Sequence, residues 1–204
     1  MTGRILLSSA YFPPVSYISL IKNKDRVVIE REENYIKQTY RNRCRILGAN
    51  GSEILTVPVE SASFRKTSIK DVKIDYSKRW QQVHNRAFTA AYSSSAYFEY
   101  YFDKVEALVN SREKYLLDFN MKSLEIVIKI IGLTMNVEFS DQFEPIEENP
   151  ADFRYKISPK IKPPENSSFR EYFQVFSNKY GFVTDLSILD LVFNAGPDSI
   201  HYLN

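Results

Sequence analysis

The sequence predicts an α/β fold. It reads as a single domain over residues 1–204, with an N-terminal βαβ unit and hairpin, a mostly helical middle and a C-terminal helix docking back. Three observations predict this. Apolar runs at residues 5–10 and 26–30 flank a segment with Tyr17, Ile18 and Ile21 at helical spacing, the order that makes a parallel strand pair. Asn50-Gly51 lies between the alternating stretches 43–47 and 53–59, a strong hairpin signal. From Ser77 onward the apolar period becomes helical.

Each element follows from its residues. Ile5, Leu6 and Leu7 suit a buried first strand, and Tyr11-Phe12-Pro13-Pro14 ends it because proline has no N–H for a ladder. Pro14 suits the first turn of the next helix. Residues 41–46 read as a strand with Arg41, Arg43 and Arg45 on one face and Asn42, Cys44 and Ile46 on the other. Pro58 marks a strand end. Residues 61–67 read as a polar, basic loop, and residues 69–74 as a weak strand. Trp80, Val83, His84, Ala87, Phe88 and Ala91 form one helical face, with Ser77 as its cap. Ser93, Ser94 and Ser95 end that helix and cap a second, carrying Phe98, Tyr101, Phe102, Val105, Leu108 and Val109 inward. A short helical piece is expected at 115–117. A third long helix is then expected, capped by Asn120 and stopped by Gly132, followed by a strand at 137–139. Residues 141–166 hold five of the nine prolines and read as a long irregular loop. A β-like run at 172–176 precedes the last helix, which Asp185 or Ser187 caps and Gly196-Pro197 stops.

Composition narrows the function classes. A net charge of +2 gives no electrostatic footprint for nucleic acid. One cysteine excludes an intrachain disulfide framework, and with only two histidines a structural zinc site lacks ligands. No metal and no cofactor are expected. The sequence contains no P-loop, no dinucleotide fingerprint and no nucleophile elbow. The apolar N-terminal run is too short for a signal peptide and no stretch would span a membrane, so a cytoplasmic protein is expected.

The candidate site is the acid-free stretch 34–46, with Lys37, Arg41, Arg43, Arg45, Asn42, Tyr35 and Tyr40; the acids Glu30, Glu32 and Glu33 sit upstream. Like charges on one face call for water or an anion. The stretch reads either as a solvated face or as a pocket for phosphate or carboxylate built from Lys37, Arg41, Asn42 and Arg43. It falls beyond the second strand, where open α/β sheets gather ligands, and Tyr11 would line the pocket mouth. His84 reads either as a satisfied core residue or as a general base near Tyr35 or Tyr40. Cys44 reads as a buried thiol. Asp185, Ser187 and Asp190 read as caps or exposed carboxylates, and an acid there can pair with the arginines.

Residues 8–17, Ser-Ser-Ala-Tyr-Phe-Pro-Pro-Val-Ser-Tyr, followed by Asn34-Tyr35-Ile36-Lys37 and Tyr40-Arg41-Asn42-Arg43, resemble the WbqC-like protein family. So do Leu55-Thr56-Val57-Pro58-Val59, the helix around Trp80 and His84, Asp118-Phe119-Asn120, and Leu186-Ser187-Ile188-Leu189-Asp190. Ser9-Ala10 stands where the family often has Gln-Pro, and Ser16 where it has Gly, as in a Bacteroidetes-type branch. The resemblance implies a role in surface-polysaccharide assembly of the O-antigen or capsule type, with transfer of glycine or another acyl group to a sugar. Its partners would be an anionic small molecule, either a sugar nucleotide or an activated acyl donor, and other glycan-assembly enzymes. Under that reading Lys37, Arg41, Asn42, Arg43, Tyr11 and Tyr35 bind substrate, and His84 and Tyr40 act in catalysis. The alternative is a non-catalytic sugar-nucleotide-binding or scaffold protein.

Overall fold

The computed structural model describes residues 3–61, 66–145, 150–161 and 169–204. Strand β1 (Arg4–Ser8) runs parallel to β2 (Arg26–Glu30), from Arg4 opposite Arg26 to Ser8 opposite Glu30. Helix α1 (Val15–Lys22) makes the crossover and buries Val15, Tyr17, Ile18 and Ile21. Strand β5 (Asn136–Phe139) pairs in parallel with the other edge of β2. The sheet order is therefore β1-β2-β5, and its apolar central strand is buried from Val27 to Glu30. Strands β3 (Arg43–Gly48) and β4 (Gly51–Thr56) form the antiparallel hairpin. Gly48 pairs with Gly51, so Ala49 and Asn50 make the turn, and Gly51 takes the positive φ of +106° that glycine permits.

Helices α2 (Trp80–Tyr92), α3 (Phe98–Asn110) and α4 (Leu116–Ile131) follow. Helix α5 (Ser177–Tyr180) is a single turn, and α6 (Ile188–Ala195) buries Ile188 to Phe193. One apolar core joins β1, β2, the hairpin and α1 to the later helices. The C-terminal helix thus docks back, and the α/β class stands. Among the described residues, no helix is long and apolar enough to cross a membrane.

Several local expectations are corrected. Arg41 and Asn42 precede β3 and are buried, so the three arginines do not share a strand face. Arg43 and Arg45 do alternate with buried Cys44 and Ile46. Residues 69–71 form a 3-10 turn rather than a strand; Ile69 and Val72, one such turn apart, both point inward. Helix α2 starts at Trp80 without a serine cap, and Val83 is 56% exposed. Ser95 bonds back to the Tyr92 carbonyl instead of capping α3. Helix α4 begins at Leu116, absorbing the expected short piece, and Asn120 lies inside it. Residues 172–176 form no strand. Of the two expected caps for α6 it is Ser187, not Asp185, that accepts from the Leu189 amide, and Gly132 ends α4 at φ +69°. Within the expected loops, residues 62–65, 146–149 and 162–168 lie outside the described residues.

Candidate functional site

Parallel strands aim their carboxyl ends at one edge, and here that edge is ionic. Glu33, just past β2, is fully buried. It accepts from Arg41 Nε at 2.8 Å and Nη2 at 2.6 Å, a bidentate pair. The Arg41 Nη2 also donates to Ser8 Oγ at 2.6 Å. The Ser8 hydroxyl lies 3.1 Å from Glu33 and 3.0 Å from the Arg154 carbonyl, and its one proton serves either. Glu30, the last residue of β2, accepts from Arg154 Nη1 at 3.0 Å, from the Glu144 amide and from Ser140. Arg154 also binds Asp152 through Nη2 at 2.6 Å. Burial disfavours the charge on Arg154, but the hydrogen bonds and charge of Asp152 outweigh it and hold the pKa above its ordinary value. Tyr155 faces both guanidiniums, 5.6 Å from Arg41 and 5.8 Å from Arg154.

The edge thus holds Arg41 and Arg154 against Glu30, Glu33 and Asp152. The expected cluster of unneutralised cations is not what forms: Arg41 is locked onto the chain's own carboxylate. Beside it lies a hollow of about 10 Å³, room for one water, walled by Ser8, Ser9, Tyr40, Arg41, Arg154 and Ile157. Asn120 reaches in from α4 and donates to the Arg41 carbonyl at 2.7 Å and Ser9 Oγ at 3.1 Å. That use of its amide is why it sits mid-helix rather than at a cap.

The other site candidates separate from this edge. Tyr11 is fully buried rather than at a pocket mouth, its ring stacked on Phe119 at 5.4 Å. His84 is 2% exposed. Its Nε2 lies 3.2 Å from the Thr56 carbonyl, which only accepts, so Nε2 carries the proton and Nδ1 accepts from the Tyr11 hydroxyl at 2.9 Å. Burial pushes the imidazole pKa down to about 4, against a small opposing effect of the Thr56 bond. His84 is therefore neutral at pH 7 with both nitrogens engaged. Tyr40 borders the hollow, and burial raises its phenol to about 12, so it is protonated at neutral pH. Its carbonyl accepts from the Tyr11 amide at 2.9 Å, tying the hollow's wall to the His84 pair.

Asn42 turns away and donates to the Val57 carbonyl. Lys37 is exposed, and Tyr35 and Arg43 are half-buried. Burial raises Tyr35 to about 12, partly offset by the charge of Arg43. Arg45 donates to the Thr184 and Asp185 carbonyls, so main chain rather than a carboxylate holds it. Asp185 accepts from the Ser16 amide, and Asp190 is buried on Tyr172 and Gln174. Among the described residues, no group of three His, Cys, Asp or Glu is placed to hold a metal ion.

A family model, that of the WbqC-like protein family, matches residues 8–165, more than half of the chain. The chain belongs to the WbqC-like protein family. The match runs from Ser8, the last residue of β1, through β2, the hairpin and helices α2 to α4 to Arg154, and so takes in every member of the ionic edge. The chain is also similar to the uncharacterised protein Rv1507c of Mycobacterium tuberculosis. The two are 25% identical over 225 residues, covering 97% of this chain and 96% of that one. No solved structure matches.

Proposed function

We propose that this WbqC-like protein is a cytoplasmic transferase of surface-polysaccharide assembly that moves glycine or another acyl group onto a sugar or sugar nucleotide. The observation that carries the reading is the hydroxyl-lined hollow at the carboxyl end of β1, floored by a guanidinium that cannot swing away. Glu33 fixes Arg41 through Nε and Nη2, and Nη1 makes no hydrogen bond to a described residue. A fixed donor of this kind suits the oxygen of an acyl group as negative charge develops on it. Tyr40, kept protonated, borders the same hollow. Lys37, Arg43 and Tyr35 do not line the hollow and would meet the anionic part of a donor outside it. His84 holds Tyr11, and through the Tyr11 amide Tyr40, so its role is positioning. Asn42 does the same for the turn into the hairpin.

Thermal shift in the presence of UDP-sugars, acyl-CoAs and aminoacyl-tRNA tests the reading, because a ligand of the folded state raises Tm. A sugar nucleotide or acyl donor is expected to raise Tm, and Tyr40→Phe and Arg43→Ala to reduce that rise. If no sugar nucleotide or acyl donor shifts Tm, the proposal fails. A shift that stays intact in both variants places the ligand elsewhere.

A further inference from the structure

The hollow beside Arg41 holds about 10 Å³, so no sugar or acyl group enters unless a wall moves. Strand β1 is fixed by its five-residue ladder to β2, and Arg41 by Glu33. Of the other walls, residues 153–157 belong to no helix or strand and are held to the sheet at few points. A single bridge joins Leu6 and Asp152, in which the Leu6 amide donates to the Ala151 carbonyl and the Phe153 amide to the Leu6 carbonyl. The Arg154 carbonyl lies 3.0 Å from Ser8 Oγ, and the Arg154 guanidinium donates to Glu30 and to the Glu144 and Pro145 carbonyls. Arg154 and Asp152 are neighbours on the same segment and neutralise each other, so they can leave together without exposing a net charge. Glu30 stays behind, fully buried at the end of the central strand, and Arg41 remains committed to Glu33. A buried carboxylate stripped of its guanidinium is strongly unfavourable. Whatever displaces the segment must therefore bring a positive charge.

We propose that residues 151–157 are a strap closing the site, that Arg154 occupies Glu30 as an internal stand-in, and that the natural ligand carries an ammonium or guanidinium group that replaces it there. This rests on reading the hollow as the site. It makes the ligand bifunctional, with a carbonyl or anionic part for Arg41 and a cationic amine for Glu30. An aminoacyl group or an amino sugar has that pattern, and a phosphate alone does not.

Hydrogen exchange on the full chain at neutral pH tests it, read at the Leu6 and Phe153 amides that tie the strap to β1. The probes are glucosamine and glycinamide, which are cationic, against N-acetylglucosamine and N-acetylglycinamide, which are not. The cationic members are expected to speed exchange at both amides several-fold while the acetylated members leave it unchanged, and Glu30→Gln is expected to abolish the difference. Equal responses to both members of a pair, or none to either, overturn the proposal. In a second arm, Arg154→Gly is expected to show a higher Tm in low, non-denaturing guanidinium chloride than in equal sodium chloride. No difference there also overturns it. If these arms fail while sugar nucleotides still raise the wild-type Tm, the strap and its cationic ligand are wrong and the transferase reading stands.

Discussion

Arg41 and His84 are both buried polar residues in chain segments that meet at Tyr11 and Tyr40, and they are satisfied by opposite means. Arg41 keeps its charge and takes a carboxylate, Glu33, into the interior with it. His84 gives up its charge and settles for a phenol and a carbonyl. The ionic edge gains its strength from pairs whose partners are costly to leave alone. The imidazole sits in an aromatic nest of Trp80, Phe88 and Tyr11, where packing carries most of the stability. The ionic edge is therefore brittle to single substitutions. The nest suits a fixed support.

Breaking one member of the ionic edge sharpens this contrast most. Glu33→Ala leaves Arg41 buried without its anion and is expected to cost about 3–5 kcal/mol in urea unfolding. A cost under about 1 kcal/mol would show that Arg41 finds water instead, and the edge would not be a closed ionic unit. His84→Ala is expected to cost about 2–3 kcal/mol, from the unpaired Tyr11 hydroxyl and the cavity together.

The pH dependence separates the two regions further. The imidazole of His84 titrates at about 4 in the fold, below its unfolded value near 6.5. The unfolded chain thus binds the extra proton first. Stability from His84 is full above about pH 6.5 and is lost as pH falls through 4, at most about 3 kcal/mol. His84→Gln should flatten this limb of the stability–pH curve, and an unchanged slope would mean that the imidazole is charged inside. Asp190 works in the opposite sense. Burial raises its carboxyl to about 6, outweighing the Tyr172 and Gln174 bonds. The stability it confers is present below its unfolded value of about 3.9 and lost as pH rises through 6, so Asp190→Asn should unfold less readily at pH 7.5. The smallest effect belongs to the exposed Lys70–Glu32 pair, where Lys70→Ala is expected to change stability by less than about 1 kcal/mol.

Much of the frame was legible because it is local. The apolar run of β2, a hairpin turn beside Asn50-Gly51 and a cap just before α6 each act within a few residues, and each was legible from neighbours alone. The site was less legible. Arg41 carried the right chemistry, but its alternation with Arg43 and Arg45 suggested a strand face that Arg41 does not join. Glu30 and Glu33 were visible as acids, yet nothing local says that they turn inward. Arg154 and Asp152 lie in a proline-rich stretch whose pattern reads only as loop. Asn120 looked like a cap because asparagine favours caps, and its contacts with Ser9 and Arg41 span about 80 to 110 positions of sequence.

The sequence by itself determined the α/β class, the parallel crossover, the hairpin and the buried thiol of Cys44, because periodicity and turn chemistry act over short distances. Only the tertiary structure decided which charges face each other. Pairing of Arg41 with Glu33, and of Arg154 with Glu30, depends on where the ends of β1 and β2 meet the segment after β5. The energy of a buried charge is set by the groups around it in space, so composition and order alone cannot assign its partner.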